Sequence, residues 1–380
     1  MTVEQTILKQ NKTAVMIHCH VELQDCTKYA TDEGAALLST YGADLLETFI
    51  FNVRKISPAT YINRGQVDKV KEYINEHKPD MVFWNHIIAH RNHKWLEKEL
   101  GVPLYDRTRL ILDIFKAHAR SSEEKLQVEL AYKEYERSRI VHAWSHLERQ
   151  RGAISAIGGP GEKQLELDRR MLEEKIKVYK KKLEEMKRAR AIQRQGRNTV
   201  PMVAIVGYTN VGKTTLFNRI TASHDLAADK LFATLGPHVR RVFMAGTDPR
   251  DNKHVLFADT VGFIRNFPTS LRNAFAATLE EIKYASLILH VRDIQMPHEE
   301  KYSAAIVKTL HEIGAGEIPM WTVWNKWDRE DRHLEMSDHT FCISATSGDG
   351  VQYLMHAIME YLRSGEISEA QFRHTMSDDQ

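Results

Sequence analysis

The amino-acid sequence predicts an α/β protein in three parts: a small N-terminal α/β domain, an antiparallel helical hairpin, and a second α/β domain with a mostly parallel sheet. Two observations support this prediction. Apolar strand-like runs alternate with helical patterns at both ends of the chain, which is typical of parallel sheets covered by helices. Between them lie two long helical patterns, separated by a loop rich in glycine and proline. The predicted boundaries are 1–120, 121–198 and 199–366, followed by a tail at 367–380.

Composition limits the class of protein. The chain has 380 residues, of which 42% are hydrophobic and 27% charged, as in globular proteins of two or three domains. No apolar run approaches the length of about 18 residues that a membrane span needs, and the N-terminus lacks the pattern of a signal peptide. Three scattered cysteines (Cys19, Cys26 and Cys342) fit a reducing compartment. We therefore expect a cytoplasmic protein without a membrane span, and a monomer.

The first domain is predicted from short apolar runs and the helical patterns between them. Strands are expected at Ala14–Ile17, Thr48–Val53 and Met81–Trp84, and helical patterns at Ala35–Leu38, Val67–Ile74 and Trp95–Leu100. A metal site is a second interpretation of the first strand's end, because His18, Cys19, His20 and Cys26 are metal-ligating residue types. Their spacing matches no familiar zinc site, so we favour a strand end with a buried thiol.

Two long helices are predicted next. The run 121–124 (SSEE) resembles a helix N-terminus, and nothing interrupts the helical pattern before Gly152. The segment 158–161 (GGPG) breaks that pattern, and a second helix is expected from about Gln164 to Gln195. At roughly 30 residues an arm, the hairpin would be roughly 45 Å long. The second helix carries one apolar seam that would face the first helix: Leu165, Leu172, Ile176, Tyr179, Leu183 and Met186.

Positive charge is concentrated on this hairpin. Residues 169–197 contain twelve basic and four acidic side chains, a local net charge of +8 on a chain whose total is +2. Charge runs are usually the solvated face of a helix. Here the excess has a single sign, and Arg149, Arg151, Arg169 and Arg170 surround the glycine-proline loop. We therefore predict contact with nucleic acid through its phosphates, without any base-reading motif.

The second α/β domain contains a glycine loop between a strand and a helix. The strand is the apolar run 202–206, and the loop 207–214 matches G-x-x-x-x-G-K-[ST], whose backbone N–H groups surround phosphates. We expect Lys213 to supply charge to the β- and γ-phosphates and the hydroxyl of Thr214 to ligate Mg²⁺. The predicted phosphate-site residues are Gly207, Tyr208, Thr209, Asn210, Val211, Gly212, Lys213, Thr214 and Thr215.

Two further segments are expected to complete the phosphate and metal site. The strand 255–259 ends in Asp259, which is placed to hold Mg²⁺, and the N–H of Gly262 is placed to contact the γ-phosphate. Thr234 lies between the two motifs, where a switch threonine would close over the metal. The predicted metal ligands are thus Thr214, Thr234 and Asp259, and the catalytic residues Lys213, Thr234 and Gly262. The predicted nucleotide contacts in these segments are Phe232, Ala233, Thr234, Leu235, Asp259, Thr260, Val261 and Gly262.

The choice of base is predicted from two segments near the C-terminus. A carboxylate at Asp328 can accept hydrogen bonds from both guanine N1–H and its 2-amino group, a pairing that adenine cannot supply. Ser344 and Ala345 would offer a backbone N–H to guanine O6. The ligands are therefore GTP and GDP, and four motifs in order make a chance glycine loop an unlikely explanation. The predicted base-site residues are Asn325, Lys326, Trp327, Asp328, Ser344, Ala345 and Thr346.

Hydrolysis is predicted to be slow without help. Phe263 follows Gly262, where Ras-like enzymes carry a glutamine that orients water, and a phenyl ring cannot do so by hydrogen bonding. Asn210 lies where some relatives of this class use an asparagine to hold K⁺ in place of an arginine finger. Arg265 is a second candidate for that role, although a single switch arginine is more often a partner contact.

Several segments resemble the HflX family of GTPases: 158–170 (GGPGEKQLELDRR), 105–108 (YDRT), 111–115 (ILDIF), 127–130 (QVEL), 230–235 (KLFATL) and 259–265 (DTVGFIR). The likeness covers about residues 45–365. It implies a GTPase that binds the large ribosomal subunit and its rRNA, separates stalled or idle ribosomes, and leaves after hydrolysis. It also implies that the hairpin tip reaches toward the peptidyl transferase centre.

The chain departs from the family pattern at a few positions. Lys163 and Leu167 replace residues that are usually threonine, and Gly236 and His238 replace an aspartate and a threonine. Asn63 and Gln66 alter a turn of the first domain that contains glycine and lysine, which weakens the case for a second nucleotide site there.

A different class of function is a large-subunit assembly or hibernation factor, in which nucleotide only times binding. A coiled-coil scaffold with a vestigial nucleotide site is disfavoured, because Lys213, Thr214, Asp259 and Asp328 are all present.

Overall fold

The structure is a computed structural model. It describes residues 12–20, 27–53, 60–150, 160–195, 200–223, 232, 238–244, 253–260, 262–263, 280–296, 299–329 and 339–364. The chain divides into two compact units, the first running to Arg188 and the second starting at Ala189.

The first unit begins with a parallel four-stranded sheet in the order β2-β1-β3-β4. The predicted α/β class is confirmed. Its strands are β1 (Lys12–His20), β2 (Ala43–Asn52), β3 (Met81–Trp84) and β4 (Leu104–Asp106), and its helices α1 (Thr27–Tyr41), α2 (Arg64–His77), α3 (His90–Leu100) and α4 (Arg107–His118). Residues Ala14 to Cys19 of β1 are almost fully buried, as expected for a parallel strand with helices on both faces.

Two features of the first unit were not evident in the sequence pattern: the last strand of its sheet and the start of α2. β4 has only three residues, which is too short to show a period of two. Asn63 and Gln66 form a capping box at the start of α2: the Asn63 side chain accepts from the Gln66 N–H at 2.9 Å, and the Gln66 side chain accepts from the Asn63 N–H at 3.0 Å. The departure from the family pattern at these positions therefore serves to begin a helix.

Cys19 is buried at the end of β1, as expected for a strand end with a buried thiol rather than a metal site. Burial raises the pKa of its thiol to about 12, so the thiolate that a metal would need is strongly disfavoured. Its backbone N–H donates to Nε2 of His86 at 3.0 Å, and the rings of His18 and His86 stack 4.7 Å apart. Cys26 lies outside the described residues.

Two long helices, α5 (Ser122–Gln150) and α6 (Pro160–Gln195), lie where the sequence predicts the two arms of the hairpin. Ser121 caps the first: its hydroxyl accepts from the Glu124 N–H at 3.1 Å, and the Glu124 carboxylate accepts from the Ser121 N–H at 3.2 Å. The expected start of the second helix near Gln164 was wrong, because it begins at Pro160. Proline is favoured in a first helical turn, where its missing N–H needs no partner.

The seam and the charge of the hairpin follow the sequence pattern. Ile176 is buried, while Leu172, Tyr179, Leu183 and Met186 are half-buried on a helix whose other described side chains are mostly exposed. The side chain of Leu165 lies outside the described residues. The ammonium of Lys180 on α6 pairs with the buried Glu134 of α5 at 2.8 Å. None of the helices in the described part of the chain is long and apolar enough to cross a bilayer. The hairpin tip, residues 151–159, lies outside the described residues.

The second unit is built on a six-stranded sheet in the order β10-β9-β8-β5-β7-β6. Every neighbouring pair is parallel except β6 and β7. The strands are β5 (Met202–Gly207), β6 (His238–Met244), β7 (Lys253–Asp259), β8 (Leu287–Asp293), β9 (Met320–Asn325) and β10 (Thr340–Cys342); the α-helices are α7 (Lys213–Thr221), α8 (Glu299–Glu312) and α9 (Val351–Ser364). Short 3₁₀ helices span Glu280–Tyr284 and Trp327–Arg329. This is the mostly parallel sheet that the sequence predicted.

Candidate nucleotide-binding site

The predicted motifs meet at one edge of the second sheet. Gly207 ends β5, Asp259 ends β7 and Asn325 ends β9, while Ser344 is the second residue after β10. Because all four strands are parallel, their carboxyl ends lie on the same side of the sheet. Ligands of open α/β sheets bind in this position.

The shape of the loop between β5 and α7 requires two glycines. A Cβ on Gly207 would lie 2.3 Å from the backbone oxygen of Val291, and one on Gly212 would lie 2.2 Å from Nδ2 of Asn325. Gly212 also has a φ of 92°, which side chains of L residues rarely tolerate. The loop then passes directly into α7, whose first residue is Lys213. The N–H groups of this helix start form a site for an anion such as phosphate.

Lys213 is a buried cation at the centre of this loop. Its side chain is 6% exposed, and Nζ donates to the backbone oxygen of Tyr208 at 2.6 Å. Burial lowers the pKa of the ammonium to about 8, and the nearby Asp259 carboxylate opposes that shift. A buried cation that lacks full solvation gains from an anionic ligand, so the position suits a phosphate.

The chemistry of the neighbouring oxygens fits Mg²⁺. The hydroxyl of Thr214 donates to Oδ2 of Asp259 at 2.8 Å, and Asp259 is only 1% exposed. Mg²⁺ prefers hard oxygen ligands and usually takes one or two from the protein, with the others from water and phosphate. A hydroxyl beside a buried carboxylate at a phosphate loop supplies such a pair. Thr234, the third predicted ligand, lies outside the described residues.

The segment after β7 lies against the phosphate loop. The N–H of Phe263 donates to the Gly207 oxygen at 3.1 Å, and the N–H of Thr209 donates to the Phe263 oxygen at 2.7 Å. A Cβ on Gly262 would lie 2.7 Å from Cγ2 of Thr209 and 3.1 Å from Nζ of Lys213. Glycine is therefore required where this backbone passes the lysine. The main chain of Phe263 contacts the loop, and its phenyl ring offers no hydrogen bond to a water molecule.

Asn325 joins the phosphate loop to the predicted base loop. Its Nδ2 donates to the Val211 oxygen at 2.7 Å, and its Oδ1 accepts from the Ala345 N–H at 2.9 Å. The sequence analysis predicts that the Ala345 N–H can donate to guanine O6. In this structure it is directed at Asn325, so a bound base would share it. Asp328 is exposed on the 3₁₀ helix, where a ligand can reach its carboxylate.

Sequence reasoning missed one charged partner at this edge. Lys326 has a φ of 65°, and its ammonium pairs with Oδ2 of Asp293 at 2.6 Å. Asp293 is the last residue of β8, so its position at the carboxyl edge of the sheet was a usable signal. The pair fixes the lysine that precedes Trp327 and Asp328.

The remaining predicted residues are distributed as follows. Phe232 is buried with a φ of 59°, Thr215 is half-buried on α7, and Asn210 is exposed with a φ of 63°. Thr260 donates its hydroxyl to the Ile205 oxygen at 2.8 Å, and Thr346 is exposed. Ala233, Leu235, Val261 and Arg265 lie outside the described residues.

Three family models match the chain. They are described as GTP-binding GTPase N-terminal over residues 28–116, GTP-binding GTPase Middle Region over 118–197, and 50S ribosome-binding GTPase over 202–326. Among curated proteins, the chain is 44% identical over 340 residues to the GTPase HflX of Magnetococcus marinus, which covers 87% of this chain and 77% of that protein. It is 39% identical over 369 residues to the GTPase HflX of Escherichia coli, covering 95% of this chain and 85% of that protein.

Solved structures give a likeness of fold. The crystal structure of the complex of SsGBP and GDP superposes with a TM-score of 0.51 and 23% identity, covering 93% of this chain and 98% of that chain. At this identity the match shows a likeness of fold alone.

Proposed function

The chain belongs to the GTPase HflX family and is a GTP hydrolase, and on that premise we propose that it binds the large ribosomal subunit and separates stalled or idle ribosomes in a GTP-dependent cycle. One observation carries the proposal: an intact nucleotide site and a long basic hairpin occur in the same chain. The hairpin contributes cations that reach solvent, and the side chains of Arg170, Lys181 and Arg188 are 72%, 80% and 76% exposed.

The charge of the hairpin supports an RNA partner. Several of its cations have an acidic neighbour one turn away, such as Arg169 with Glu173 at 3.4 Å and Arg188 with Glu184 at 3.5 Å. Exposed pairs of this kind are weak and readily exchanged for a phosphate. Residues 169–197 contain twelve basic and only four acidic side chains, so the segment keeps a large excess of positive charge. Phosphate contacts account for most sequence-independent affinity for nucleic acids.

We propose the following roles in the nucleotide site. Lys213 binds the β- and γ-phosphates, and the N–H of Gly262 contacts the γ-phosphate. Asp328 accepts hydrogen bonds from guanine N1–H and the 2-amino group, and Asn325 holds the phosphate and base loops together. Thr214, Asp259 and Thr234 would hold Mg²⁺, which neutralises charge on the phosphates when bound.

Hydrolysis is proposed to depend on the ribosome. Phe263 cannot orient the attacking water, so the chain by itself lacks one of the groups that accelerate this reaction. Asn210, exposed at the mouth of the phosphate loop, is proposed to hold K⁺ near the phosphates. Equal hydrolysis rates in Na⁺ and K⁺ buffers would contradict that role.

Sedimentation tests the splitting function. Purified 70S-type ribosomes would be incubated with the protein and GTP and then separated on a sucrose gradient. We expect free subunits to increase with GTP, and not with the Lys213→Ala variant. A gradient without extra subunits, together with protein that travels with the large subunit, would instead support an assembly or hibernation factor. GTP hydrolysis measured with and without large subunits shows whether the ribosome supplies the missing group.

Charge reversal on the hairpin separates RNA contact from nucleotide binding. Arg170→Glu with Lys181→Glu should weaken cosedimentation with large subunits and make the remaining binding less dependent on salt. Reversal of Lys308, an exposed lysine on α8, is the matched control. Equal cosedimentation of both variants would count against the hairpin as the RNA-binding part.

A further inference from the structure

Arg219 lies in the last turn of α7 and reaches the loop that would recognise the base. Its Nε donates to the Ala345 oxygen at 3.2 Å, and its Nη2 donates to the Thr346 oxygen. An arginine fork that bonds two consecutive carbonyls fixes their direction, because the guanidinium is planar and its donors cannot rotate independently.

The loop closes tightly over the guanidinium. Gly348 has a φ of 102°, and a Cβ at that position would lie 3.0 Å from Nη1 of Arg219. The loop is also bonded within itself, since the Gly348 N–H donates to the Ser344 oxygen at 2.8 Å and the Ser344 N–H donates to the Asp349 oxygen at 3.0 Å. Arg219 is therefore seated in a formed turn, which a freely moving surface arginine would not be.

Two side chains reach this turn from other elements in the described part of the chain. Asn325 accepts from the Ala345 N–H, and Arg219 donates to the Ala345 carbonyl. Residue 345 is thus held at both ends of its backbone. A peptide unit is planar, so fixing the Ala345 carbonyl also fixes the Thr346 N–H, which points in the opposite direction. Arg219 thereby controls the direction of the N–H groups that this loop can present to guanine O6.

We propose that Arg219 is a positioning residue for guanine recognition, which holds the Ala345 and Thr346 peptides so that the base loop can donate to guanine O6. The inference rests on the proposed guanine site, in which Asp328 binds the other edge of the base. Arg219 acts through the loop and touches no reacting atom. Its loss should weaken nucleotide binding and leave turnover at saturating GTP unchanged.

The test compares GTP with 6-thio-GTP, in which sulfur, a weak acceptor, replaces O6. Dissociation constants for both would be measured with the full chain as wild type, Arg219→Ala, Arg219→Lys and the control Lys308→Ala. We expect Arg219→Ala to weaken GTP binding by about 3- to 10-fold, the value of a hydrogen bond with one charged partner that is partly exposed to solvent. The preference for GTP over 6-thio-GTP should fall toward one, with an intermediate value for the single ammonium of Arg219→Lys.

The outcomes separate this inference from the proposed function. If Arg219→Ala weakens both ligands equally, or neither, the preference stays at the wild-type value and the positioning role is overturned, because general loosening of the fold affects both ligands alike. If the wild type itself shows no preference between the two ligands, the O6 contact of the proposed guanine site fails, and this inference fails with it. A reduced preference in Arg219→Ala with a wild-type value in Lys308→Ala supports the inference.

Discussion

The two sheets of this chain both place a buried cation close to the carboxyl ends of their strands, and they balance its charge in different ways. In the first unit, Arg107 starts α4 directly after β4 and is fully buried. Its Nη2 pairs with Oε2 of Glu33 at 2.5 Å, and its Nη1 donates to Oδ1 of Asn85 at 2.8 Å. In the second unit, the hydrogen bond of Lys213 goes to a neutral carbonyl, and burial lowers the pKa of its ammonium.

This difference separates a structural cluster from a candidate binding site. The carboxylate that balances Arg107 belongs to the fold, so the first cluster is complete without a ligand. The carboxylate near Lys213 is that of Asp259, and a bound anion would stabilise the charged form of the lysine, which burial disfavours. The position of a polar cluster at the edge of a parallel sheet is therefore weak evidence for a ligand. The balance of charge around the buried cation is the stronger evidence.

The largest expected effect tests the buried ion pair of Glu33 and Arg107 in the first unit. Glu33→Ala would leave the fully buried guanidinium of Arg107 without its counter-charge, and breaking a buried pair in this way costs about 3–5 kcal/mol. Hydrogen exchange measured on peptides from β1 and β3 should show a corresponding loss of protection. GTP affinity should stay at its wild-type value, because the nucleotide site belongs to the second unit.

The matched control replaces both partners. Glu33→Leu with Arg107→Met removes both charges, and an apolar pair of similar volume should recover much of the lost protection. Protection in Glu33→Ala within about 1 kcal/mol of the wild type would show that the pair contributes little to the fold.

The second-largest expected effect tests the candidate nucleotide site around Lys213. Lys213→Ala should weaken GTP binding by at least about 100-fold, because a charge-assisted hydrogen bond to phosphate is lost in a buried setting. Without nucleotide, β5 and β7 should lose less protection from hydrogen exchange than β1 and β3 lose in Glu33→Ala, since the substitution removes a cation whose burial is itself unfavourable as well as a neighbour of Asp259. Titration with a fluorescent GTP analogue measures the affinity, with Lys308→Ala as control. Unchanged affinity would contradict the site, and a large loss of protection would remove the contrast with Arg107.

Short motifs predict most of the candidate nucleotide site, because their geometry is local. The loop 207–214 starts at the last residue of β5, Asp259 and Asn325 are the last residues of β7 and β9, and parallel strands bring such ends together. The alternation of strands and helices predicted both sheets for the same reason. The hairpin was predicted from the apolar seam on α6, whose described positions are less exposed than their neighbours.

Contacts between distant residues could not be predicted in this way. Glu33 and Arg107 are separated by 74 positions, and Arg219 and Ala345 by 126, so no local pattern links them. Each pair depends on how a helix is placed against a loop or another helix after folding. The start of α6 at Pro160 was missed for a different reason, because proline breaks a helix in its interior and is favoured in its first turn.

The third-largest expected effect tests how Asp328 selects the base of the bound nucleotide. Asp328→Asn replaces a carboxylate that accepts two hydrogen bonds with an amide that both accepts and donates. Guanine offers donors at N1 and the 2-amino group, whereas xanthine has an acceptor at position 2. GTP binding should fall by about 10- to 100-fold and XTP binding should rise, since a mismatched polar pair is left unsatisfied. Competition of both nucleotides with a fluorescent analogue measures the change. A variant that still prefers GTP would place the base elsewhere.

The smallest effect uses pH to examine the charge of Lys213. In the free protein its pKa is lowered to about 8, and bound phosphate would favour the charged form and raise it. Binding therefore requires a protonated lysine, and affinity should be nearly constant below pH 7 and decrease as the pH rises through 8. The decrease between pH 7 and pH 9 should be about 10-fold. Guanine N1–H also begins to ionise near the upper limit, so the triphosphate of 2-aminopurine riboside, which lacks that proton, is the control ligand. A decrease shared by both ligands reports on Lys213, whereas a decrease with GTP alone would show that the base titrates and that Lys213 stays charged despite its burial.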